Sequence, residues 1–403
     1  MADTSMREFD VVVIGAGPAG AAAARSAAVA GARVCLVERA ELPRYKTCGG
    51  GLVGISRDHI SGAGLDLAQL ARAEVDALTI TLDGRYRVTR RRRDGSPIIA
   101  MVMRPELDAA LVDAARAAGV EVRTSTVVTG VRDDGPAGAV VEIRGGPDLR
   151  ASVVVGADGT SSRAAGYVGV RCDQVDLGLE AEIKAPAHVA ARWERRMLLD
   201  WGPVPGSYGW VFPKGDVLTV GVIGAREDGP ALRSYYERFV AQLGLADLPR
   251  LHDSGHLTRV RADGSPVRRG RVLVAGDAAG LLDPWTREGI SFALRSGRLA
   301  GSAAAAAAGG DQGALDAYPD RVDAVFGPEV TAGRTLLGLF TRRPEVMHGL
   351  MAGFPGAFGL FTRIIDGRST VARQLARPGV TRTVAALSRQ RNQRPDPGPA
   401  PTP

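Results

Sequence analysis

The sequence contains few cysteines and few lysines, and each scarcity excludes a class of protein. Three cysteines (Cys35, Cys48 and Cys172) are too few and too widely spaced for a disulfide framework or a zinc site, and no bound metal is predicted. Only three of the 51 basic residues are lysine. The arginine excess is interpreted as genomic base composition, so the net charge of +7 does not indicate a nucleic-acid partner. Attraction to anionic lipid headgroups stays open.

The sequence also lacks the long apolar run of about 18 residues that a membrane-spanning helix needs. Because the first apolar run is itself a predicted strand, no signal peptide is expected, and a cytoplasmic location is predicted. A peripheral position on the inner face of the membrane is the alternative. With 403 residues, 45% of them hydrophobic and 24% charged, the chain is large enough for two subdomains around a large core.

The N-terminal segment has the pattern of a nucleotide-binding βαβ unit. Residues 11–14 predict a buried strand, and a glycine-rich turn leads from it into an alanine-rich helix and a second strand. Gly15 allows the tight turn, Gly17 lets the backbone approach a pyrophosphate, and Gly20 lets helix and strand pack closely. Glu38 ends the second strand, where a carboxylate binds ribose hydroxyls and repels a 2′-phosphate. The pattern therefore predicts a dinucleotide site that favours FAD or NAD over NADP.

The predicted organisation is a nucleotide-binding domain interrupted by a substrate domain. The expected boundaries are 1–75, 101–170 and 266–310 for the FAD-binding domain, 76–100 (a hairpin) and 171–265 (an antiparallel sheet) for the substrate domain, 311–388 for a C-terminal helical region and 389–403 for a disordered tail. The hairpin is expected to turn at Asp83-Gly84, and the arginine run 90–93 at its exit is interpreted as a solvated basic edge.

Two later segments repeat the strand-to-turn pattern, namely Val153–Gly159 and Gly276–Gly280. Together with the βαβ unit they resemble the FAD-binding motifs of the flavoprotein superfamily typified by p-hydroxybenzoate hydroxylase. The resemblance implies that Asp277 binds the ribityl chain and that the helix after Glu288 points its N-terminus at the flavin. It also implies that Arg104 lies on the flavin side and that Asp158 belongs to the Asp-Gly motif.

Two further motifs resemble those of one particular family within this superfamily. The segment Pro43–Gly51 resembles the Lys-x-Cys-Gly-Gly loop of geranylgeranyl reductases, and Tyr208–Pro213 matches their Tyr-x-Trp-x-Phe-Pro motif. The likeness spans roughly residues 8–300. One departure is Arg287, where that family commonly has glycine. A long cation there is expected to alter the electrostatics of the flavin or of the electron-donor site, so NAD(P)H and a ferredoxin-like donor are both retained.

These motifs predict FAD as the cofactor. The predicted cofactor-binding residues are Gly15, Gly17, Pro18, Ala19, Gly20, Glu38, Arg39, Arg44, Cys48, Gly49, Gly50, Arg104, Val128, Asp158, Gly159, Gly276, Asp277, Pro284, Glu288, Gly289 and Ile290.

The predicted catalytic residues are Cys48, Tyr208, Trp210 and Phe212. An isolated trisubstituted alkene can be reduced by protonation towards a tertiary cation together with hydride from flavin N5, which requires an acid, electron-rich walls and little water. The thiol offers the acid or a proton relay, and the aromatic faces stabilise positive charge by about 0.5–2 kcal/mol each. The alternative is that the aromatic residues form a strand's core face and the cysteine is a buried thiol.

The segment from residue 336 to 365 is rich in leucine, methionine and phenylalanine, with arginines interspersed. It could lie in a membrane interface and gather prenyl chains, or form a helical cap on the substrate domain. Both interpretations are kept.

The sequence thus predicts an α/β fold in which a Rossmann-like FAD-binding domain carries an inserted antiparallel-sheet substrate domain and C-terminal helices. The predicted function is an FAD-dependent reductase that saturates isoprenoid C=C bonds of a prenyl lipid or prenylated quinone. An FAD-dependent monooxygenase is one alternative, because it needs neither Cys48 nor the Tyr208–Pro213 motif. A non-redox flavoprotein that cyclises a polyene is another, and a halogenase is disfavoured because those enzymes carry Trp-x-Trp-x-Ile-Pro.

Overall fold

The computed structural model describes residues 8–380. Its strands are β1 (Phe9–Ile14), β2 (Val34–Val37), β3 (Gly51–Leu52), β4 (Ala71–Val75), β5 (Ala77–Leu82), β6 (Arg85–Arg91), β7 (Ile99–Val102), β8 (Glu121–Arg123), β9 (Val128–Asp133), β10 (Ala139–Ile143), β11 (Leu149–Gly156), β12 (Cys172–Lys184), β13 (Arg196–Trp201), β14 (Tyr208–Lys214), β15 (Val217–Ala225), β16 (Arg250–Arg261), β17 (Arg268–Arg269) and β18 (Val272–Val274). Its helices are α1 (Pro18–Val29), α2 (Gly54–Gly62), α3 (Leu67–Leu70), α4 (Arg104–Ala117), α5 (Arg163–Val168), α6 (Ala187–Trp193), α7 (Gly229–Gln242), α8 (Ile290–Ala308), α9 (Gly313–Asp316), α10 (Tyr318–Arg342), α11 (Pro344–Gly353), α12 (Pro355–Ile365) and α13 (Val371–Leu375).

The first sheet is the predicted nucleotide-binding sheet. Its strands run in the order β17-β18-β11-β1-β2-β8, and the pairs from β18 to β8 are parallel. Val12 pairs with Val154 on one side and with Cys35 on the other, and all three side chains are fully buried. The continuous aliphatic runs in these strands follow from burial on both faces. The predicted Rossmann-like fold is confirmed.

Helices α1 and α8 touch along their backbones, which explains their alanine and glycine content. A Cβ atom on Gly297 would lie 2.1 Å from the carbonyl oxygen of Ala19, and one on Gly301 would lie 2.1 Å from that of Ala23. Because residue numbers rise together along the contact, the two helices are parallel. Their N-termini therefore meet at the same edge of the sheet.

The second sheet has the order β16-β12-β15-β14-β13-β5-β6, and all its pairs are antiparallel except β13 with β5. The predicted substrate sheet and its hairpin at Asp83-Gly84 are therefore confirmed. Strand β16 was not predicted, because its sequence is polar and it lies at an edge with mostly exposed residues. A small third sheet, β3-β7-β4, joins the cysteine loop to the substrate sheet.

The interpretation of residues 90–93 as a solvated edge was wrong for two of the four arginines, Arg90 and Arg92, which contact the C-terminal helices. Arg90 donates hydrogen bonds to the carbonyl groups of residues 351 and 352 at the end of α11. Arg91 pairs with Asp76, and Arg92 pairs with Asp366 at 3.0 Å just after α12. Arg90 and Arg92 hold the C-terminal helices on the substrate sheet, so the cap interpretation of these helices is borne out by their contacts.

The predicted disordered tail, 389–403, lies outside the described residues. Among the helices of residues 8–380, none combines the length and hydropathy needed to cross a membrane.

Candidate active site

The turn after β1 has the geometry that a pyrophosphate group requires. Gly15 has a φ of +96°, and a Cβ atom there would lie 2.4 Å from the Ala157 carbonyl oxygen. A Cβ atom on Gly20 would lie 1.7 Å from the carbonyl oxygen of Gly15. Gly17 instead faces open space up to the Arg44 guanidinium, 3.8 Å from where its Cβ would stand. The first N–H groups of α1 and this cation converge on the mouth of the turn, which fits the pyrophosphate of FAD.

Glu38 lies at the end of β2 beside this turn, at the place of a ribose ligand. Its buried carboxylate accepts hydrogen bonds from the N–H groups of Ala16 (2.8 Å) and Ala40 (3.1 Å). Arg44 lies between two carboxylates, 3.5 Å from Glu38 and 3.2 Å from Asp108. The cation is therefore held over the glycine turn from both sides.

The Asp-Gly motif shapes a loop next to the glycine turn. Asp158 accepts hydrogen bonds from the Ser162 hydroxyl and from the Arg163 N–H group, and burial raises the pKa of its carboxyl. Gly159 has a φ of +76°, which favours glycine. The Asp-Gly motif thus fixes the conformation of the loop from Asp158 to Arg163, next to the glycine turn.

A second helix N-terminus reaches the same edge through the segment before α8. This segment contains six of the predicted cofactor-binding residues, namely Gly276, Asp277, Pro284, Glu288, Gly289 and Ile290. Glu288 accepts hydrogen bonds from the N–H (2.8 Å) and the hydroxyl of Ser291, and so caps the first turn of α8. Asp277 is partly exposed and interacts electrostatically with Lys46. Two helix N-termini at one sheet edge suit an anionic cofactor.

The loop before β3 is fastened to β16 of the second sheet. The Tyr45 and Thr47 hydroxyls lie 3.0 and 2.9 Å from the Ser254 hydroxyl. Lys46 Nζ lies 2.7 Å from Nε2 of His256. Burial, and then the neighbouring ammonium, lower the pKa of His256 to about 4, so its neutral ring accepts this hydrogen bond. The loop thus joins the two domains.

Cys48 follows these contacts and lies between the two sheets. Its N–H donates to Glu180 Oε1 at 3.1 Å, and its Sγ accepts from the Gly50 N–H at 3.4 Å. The residue is half-buried and interacts electrostatically with Arg104, at the start of α4, and with Lys214, at the end of β14. The sulfur is therefore partly accessible and lies near two cations.

Arg104 is positioned by a carboxylate one turn along α4. Its guanidinium makes two 2.9 Å hydrogen bonds to Asp108, and both side chains are buried. Asp108 thus holds the Arg104 cation in place near the cysteine. Because the two charges are opposite and adjacent, their electric fields largely cancel at longer distances.

The glycines after the cysteine are required by the side chains and backbone they contact. A Cβ atom on Gly49 would lie 2.8 Å from the Phe212 ring and 3.4 Å from Nε1 of Trp210. Gly50 has a φ of +71°, and its Cβ would lie 2.2 Å from the Val102 carbonyl oxygen. Gly49 therefore packs directly against the Phe212 ring.

The three aromatic residues of β14 share one face of the second sheet. The centroid of the Trp210 ring lies 6.0 Å from that of Tyr208 and 6.3 Å from that of Phe212. Gly221 lies opposite Trp210 on β15, and a Cβ atom there would come within 2.3 Å of the indole. The absent side chain lets the indole lie over β15.

Tyr208 and Arg287 are both held by neighbouring groups. The Tyr208 hydroxyl donates a hydrogen bond to the Thr286 carbonyl. Arg287 pairs with Asp176 through contacts of 3.1 and 3.2 Å, and both side chains are buried. The φ of Arg287 is +55°, which accounts for a glycine preference at this position. The charge expected beside the flavin is balanced by Asp176.

The inner face of the second sheet, which carries these aromatic residues, has two different ends. Its polar end is formed by β16 and β12, with His252, Ser254, His256, Glu180 and Glu182. Its apolar end is formed by β13 and β5 with the C-terminal helices, and consists of Leu78, Ile80, Met197, Leu199, Trp201, Leu337, Phe340, Met347, Met351, Phe358, Phe361 and Ile365. Tyr208 and Phe212 border the apolar end.

The structure brings most predicted site residues together around the glycine turn and the cysteine loop. Arg39 is exposed after β2, and Val128 begins β9 two residues after Thr126, whose N–H bonds the Glu38 carbonyl. Five polar residues around the cysteine were not predicted, namely Lys46, Glu180, Lys214, Ser254 and His256. The scarcity of lysine could have pointed to Lys46 and Lys214, since two of the three lysines in the sequence lie near the cysteine.

Residues 8–327 match the family described as an FAD binding domain. The chain is 31% identical to the digeranylgeranylglycerophospholipid reductase of Methanothrix thermoacetophila, covering 85% of this chain and 91% of that protein. It is 30% identical to the chloroplastic geranylgeranyl diphosphate reductase of Oryza sativa subsp. japonica, covering 74% and 67%. A solved geranylgeranyl bacteriochlorophyll reductase-like protein of Thermoplasma acidophilum has the same fold, with a TM-score of 0.74 and 21% identity over 94% of this chain and 99% of that one. The chain therefore belongs to the geranylgeranyl reductase family, and it is an FAD-dependent oxidoreductase.

Proposed function

We propose that this enzyme saturates isoprenoid double bonds of a prenyl lipid or prenylated quinone. The observation that carries the proposal is the division of the inner face into a polar end, where the Cys48 loop docks, and an apolar end capped by helices. An isoprenoid chain needs the same division, because its alkene must receive a proton while its methyl-branched chain must leave water. The names of the two reductase relatives support this substrate class.

In this proposal bound FAD supplies the hydride, and the cysteine and the three aromatic residues of β14 have the following roles. Cys48 delivers the proton from Sγ. Trp210 and Phe212 present π faces that stabilise positive charge on the alkene carbon by about 0.5–2 kcal/mol each. Tyr208 forms a wall, because burial raises the pKa of its hydroxyl and that hydroxyl already donates to a carbonyl group.

We also propose that α11 and α12 contact a membrane surface and collect the substrate there. Leu350 and Phe354 are 40% and 63% exposed on this cap, and Arg363 is exposed on α12. Large exposed apolar side chains beside a cation suit the interface of an anionic bilayer. The same helices contribute Met351 and Phe361 to the apolar end, so a collected chain would have a short path.

The test is a single turnover of the FAD-loaded enzyme without oxygen. The enzyme is reduced with dithionite, freed of excess reductant and mixed with geranylgeranyl diphosphate or a menaquinol, whose reduced ring cannot itself reoxidise the flavin. We expect flavin reoxidation that is stoichiometric with loss of alkene by mass spectrometry, and none with a fully saturated analogue. A requirement for oxygen would establish the monooxygenase instead. Cyclisation of a polyene without reoxidation would establish the cyclase. NADPH and reduced ferredoxin, in place of dithionite, then distinguish the electron donors.

A further inference from the structure

Lys214 is a buried lysine in a chain that uses arginine for nearly all its basic residues. Its side chain is 3% exposed, and within residues 8–380 its Nζ has no hydrogen-bond partner. The ammonium lies against the cysteine loop, because a Cβ atom on Gly50 would come within 3.0 Å of Nζ. Lysine presents a compact charge and changes its protonation state when buried, whereas arginine does not. The position therefore favours a role that involves a local charge or proton.

Glu180 supplies the matching acidic group on β12. It is 1% exposed, and its Oε1 accepts the hydrogen bond from the Cys48 N–H. Its other oxygen, Oε2, is buried and has no partner among the described residues. The carboxylate and the ammonium of Lys214 attract each other electrostatically. Glu180 and Lys214 thus both contact the cysteine loop, the first at Cys48 and the second at Gly50.

Two neighbouring polar atoms extend this set on the same face of the sheet. Thr219 Oγ1 and Trp210 Nε1 are also buried, without partners in the described part of the chain. The strand register explains the grouping, since Gly221 lies between Glu180 and Trp210, and Thr219 lies opposite Phe212. Buried polar atoms in folded proteins are satisfied by ordered water when side chains do not reach them. The set therefore offers four buried polar atoms, near the cysteine loop, that ordered water would satisfy.

We infer that Glu180 and Lys214 form a buried proton-exchange pair that restores the proton on Cys48 after each alkene reduction. The inference rests on the proposed function. One proton leaves the Cys48 Sγ–H for each double bond saturated. The resulting thiolate takes a proton from the carboxylic acid of Glu180 through water, and the carboxylate is reprotonated from solvent. Lys214 stabilises the anion in both stages, and no electrons pass through the pair. Both are positioning residues, since neither is placed against the substrate.

The electrostatics of the pair agree with this cycle. Burial raises the pKa of Glu180 to about 7, although Lys214 opposes the shift, so the carboxyl exchanges protons near neutral pH. Burial lowers the pKa of Lys214, and Glu180 opposes that shift. The other titratable or charged groups near the pair are Glu182 on β12, Tyr45 and Lys46 on the cysteine loop, Arg104 on α4, Tyr236 on α7, and His252 and His256 on β16.

The first experiment reads the cysteine directly and needs no prenyl substrate. The FAD-loaded enzyme is alkylated with iodoacetamide from pH 5 to 10, and modification of the Cys48 peptide is followed by mass spectrometry. Lys214→Met should move the midpoint of alkylation upward by about one pH unit, because a nearby cation is lost. Glu180→Gln should move it downward by a similar amount. Lys184→Met is the matched control, since that lysine is half-exposed and pairs with Asp216.

The second experiment separates charge from proton supply. Lys214→Arg keeps the charge and should restore the wild-type alkylation midpoint. In repeated turnovers with excess dithionite, Glu180→Gln should lower kcat about 10- to 100-fold with KM unchanged, because the thiolate is no longer reprotonated, whereas the single turnover of prereduced enzyme should keep the wild-type rate. If a variant retains less FAD, Glu180→Leu and Lys214→Gln, which remove the same charges, are used for both measurements.

Alkylation midpoints that match the wild type in both Lys214→Met and Glu180→Gln would overturn the inference. So would a Glu180→Gln enzyme that keeps the wild-type kcat. If the midpoints shift in opposite directions but the wild-type enzyme reduces no prenyl substrate, the proposed function fails while the coupling of the pair to the cysteine stands.

Discussion

The polar and apolar ends of the inner face are stabilised by different interactions on one continuous sheet. At the polar end, directional hydrogen bonds between the cysteine loop and Ser254, His256 and Glu180 fix the loop, with His256 and Glu180 as acceptors. At the apolar end, the C-terminal helices contribute methionine and phenylalanine side chains, which adapt to occupants of different length. The difference teaches that the cysteine loop is fixed by directional contacts while the apolar end can adjust. The proposed reduction of long isoprenoids needs both properties.

The largest expected effect comes from removing the thiol at the polar end. Cys48→Ser should lower alkene reduction by prereduced enzyme by about 10²–10⁴-fold, because a general acid is lost. FAD content and dithionite reduction should stay near the wild type, since the volume change is small. Single-turnover reoxidation with substrate is the measurement. Cys172→Ser is the control, and a wild-type rate in Cys48→Ser would make the thiol a packing residue.

The pH dependence of stability tests the burial of the acid at the polar end. The folded-state pKa of Glu180, about 7, lies above its ordinary value of 4.5. The resulting stabilisation is fully present below pH 4.5 and is lost as pH rises through 7, by about 3 kcal/mol at most. The free energy of unfolding of the wild type minus that of Glu180→Gln should therefore fall over this window, measured with urea at several pH values.

The stability contribution of His256, at the same end, has the opposite dependence on pH. The pKa of His256 is lowered to about 4, so its contribution is present above pH 6.5 and is lost as pH falls towards 4. Both proteins retain this histidine, so its contribution cancels in the difference. A difference that stays flat from pH 4.5 to 7 would contradict the shift assigned to Glu180.

A methyl group added at Gly49 should disturb the packing of the cysteine loop on the inner face of the second sheet. Gly49→Ala brings a Cβ atom to 2.8 Å from the Phe212 ring, and overpacking of this kind costs about 1–3 kcal/mol of unfolding free energy. Gly62→Ala is the matched control, because nothing lies within 4 Å of that Cβ. Equal unfolding free energies for the two variants would show that the loop is not held against the ring.

The smallest expected effect lies at the outer surface of the apolar end. Phe354 is 63% exposed, so Phe354→Ser should leave stability within about 0.5 kcal/mol of the wild type. We expect it to weaken binding to anionic liposomes several-fold, measured by co-sedimentation at low and at physiological salt. Val29→Ser, at a position that is 67% exposed on α1, is the control. Equal binding by both variants would leave α11 and α12 as a structural cap.

The parts of the fold that were predictable are local in sequence. The glycine turn, the strands beside it and the helix from Arg104 each have a signal within about a dozen residues, because their chemistry lies in adjacent positions. Strand β16 has no such signal, since its alternation of His252, Ser254 and His256 has meaning only against the cysteine loop, some two hundred residues away. The solvated-edge prediction for residues 90–93 was wrong for the same reason, because the partners of Arg90 and Arg92 lie at the ends of the C-terminal helices.

The sequence alone determined the cofactor domain, the presence of a cysteine loop and an aromatic strand, and the family to which they point. These are properties of short motifs whose residues act together within one element. The tertiary structure alone decided that Glu180 and Lys214 lie under the cysteine, that Arg287 is balanced by Asp176, and that one sheet face is polar at one end and apolar at the other. The physical reason is that burial and pairing arise between elements distant in sequence. A charge acquires its role from its neighbours in space, and strand register and helix docking choose those neighbours.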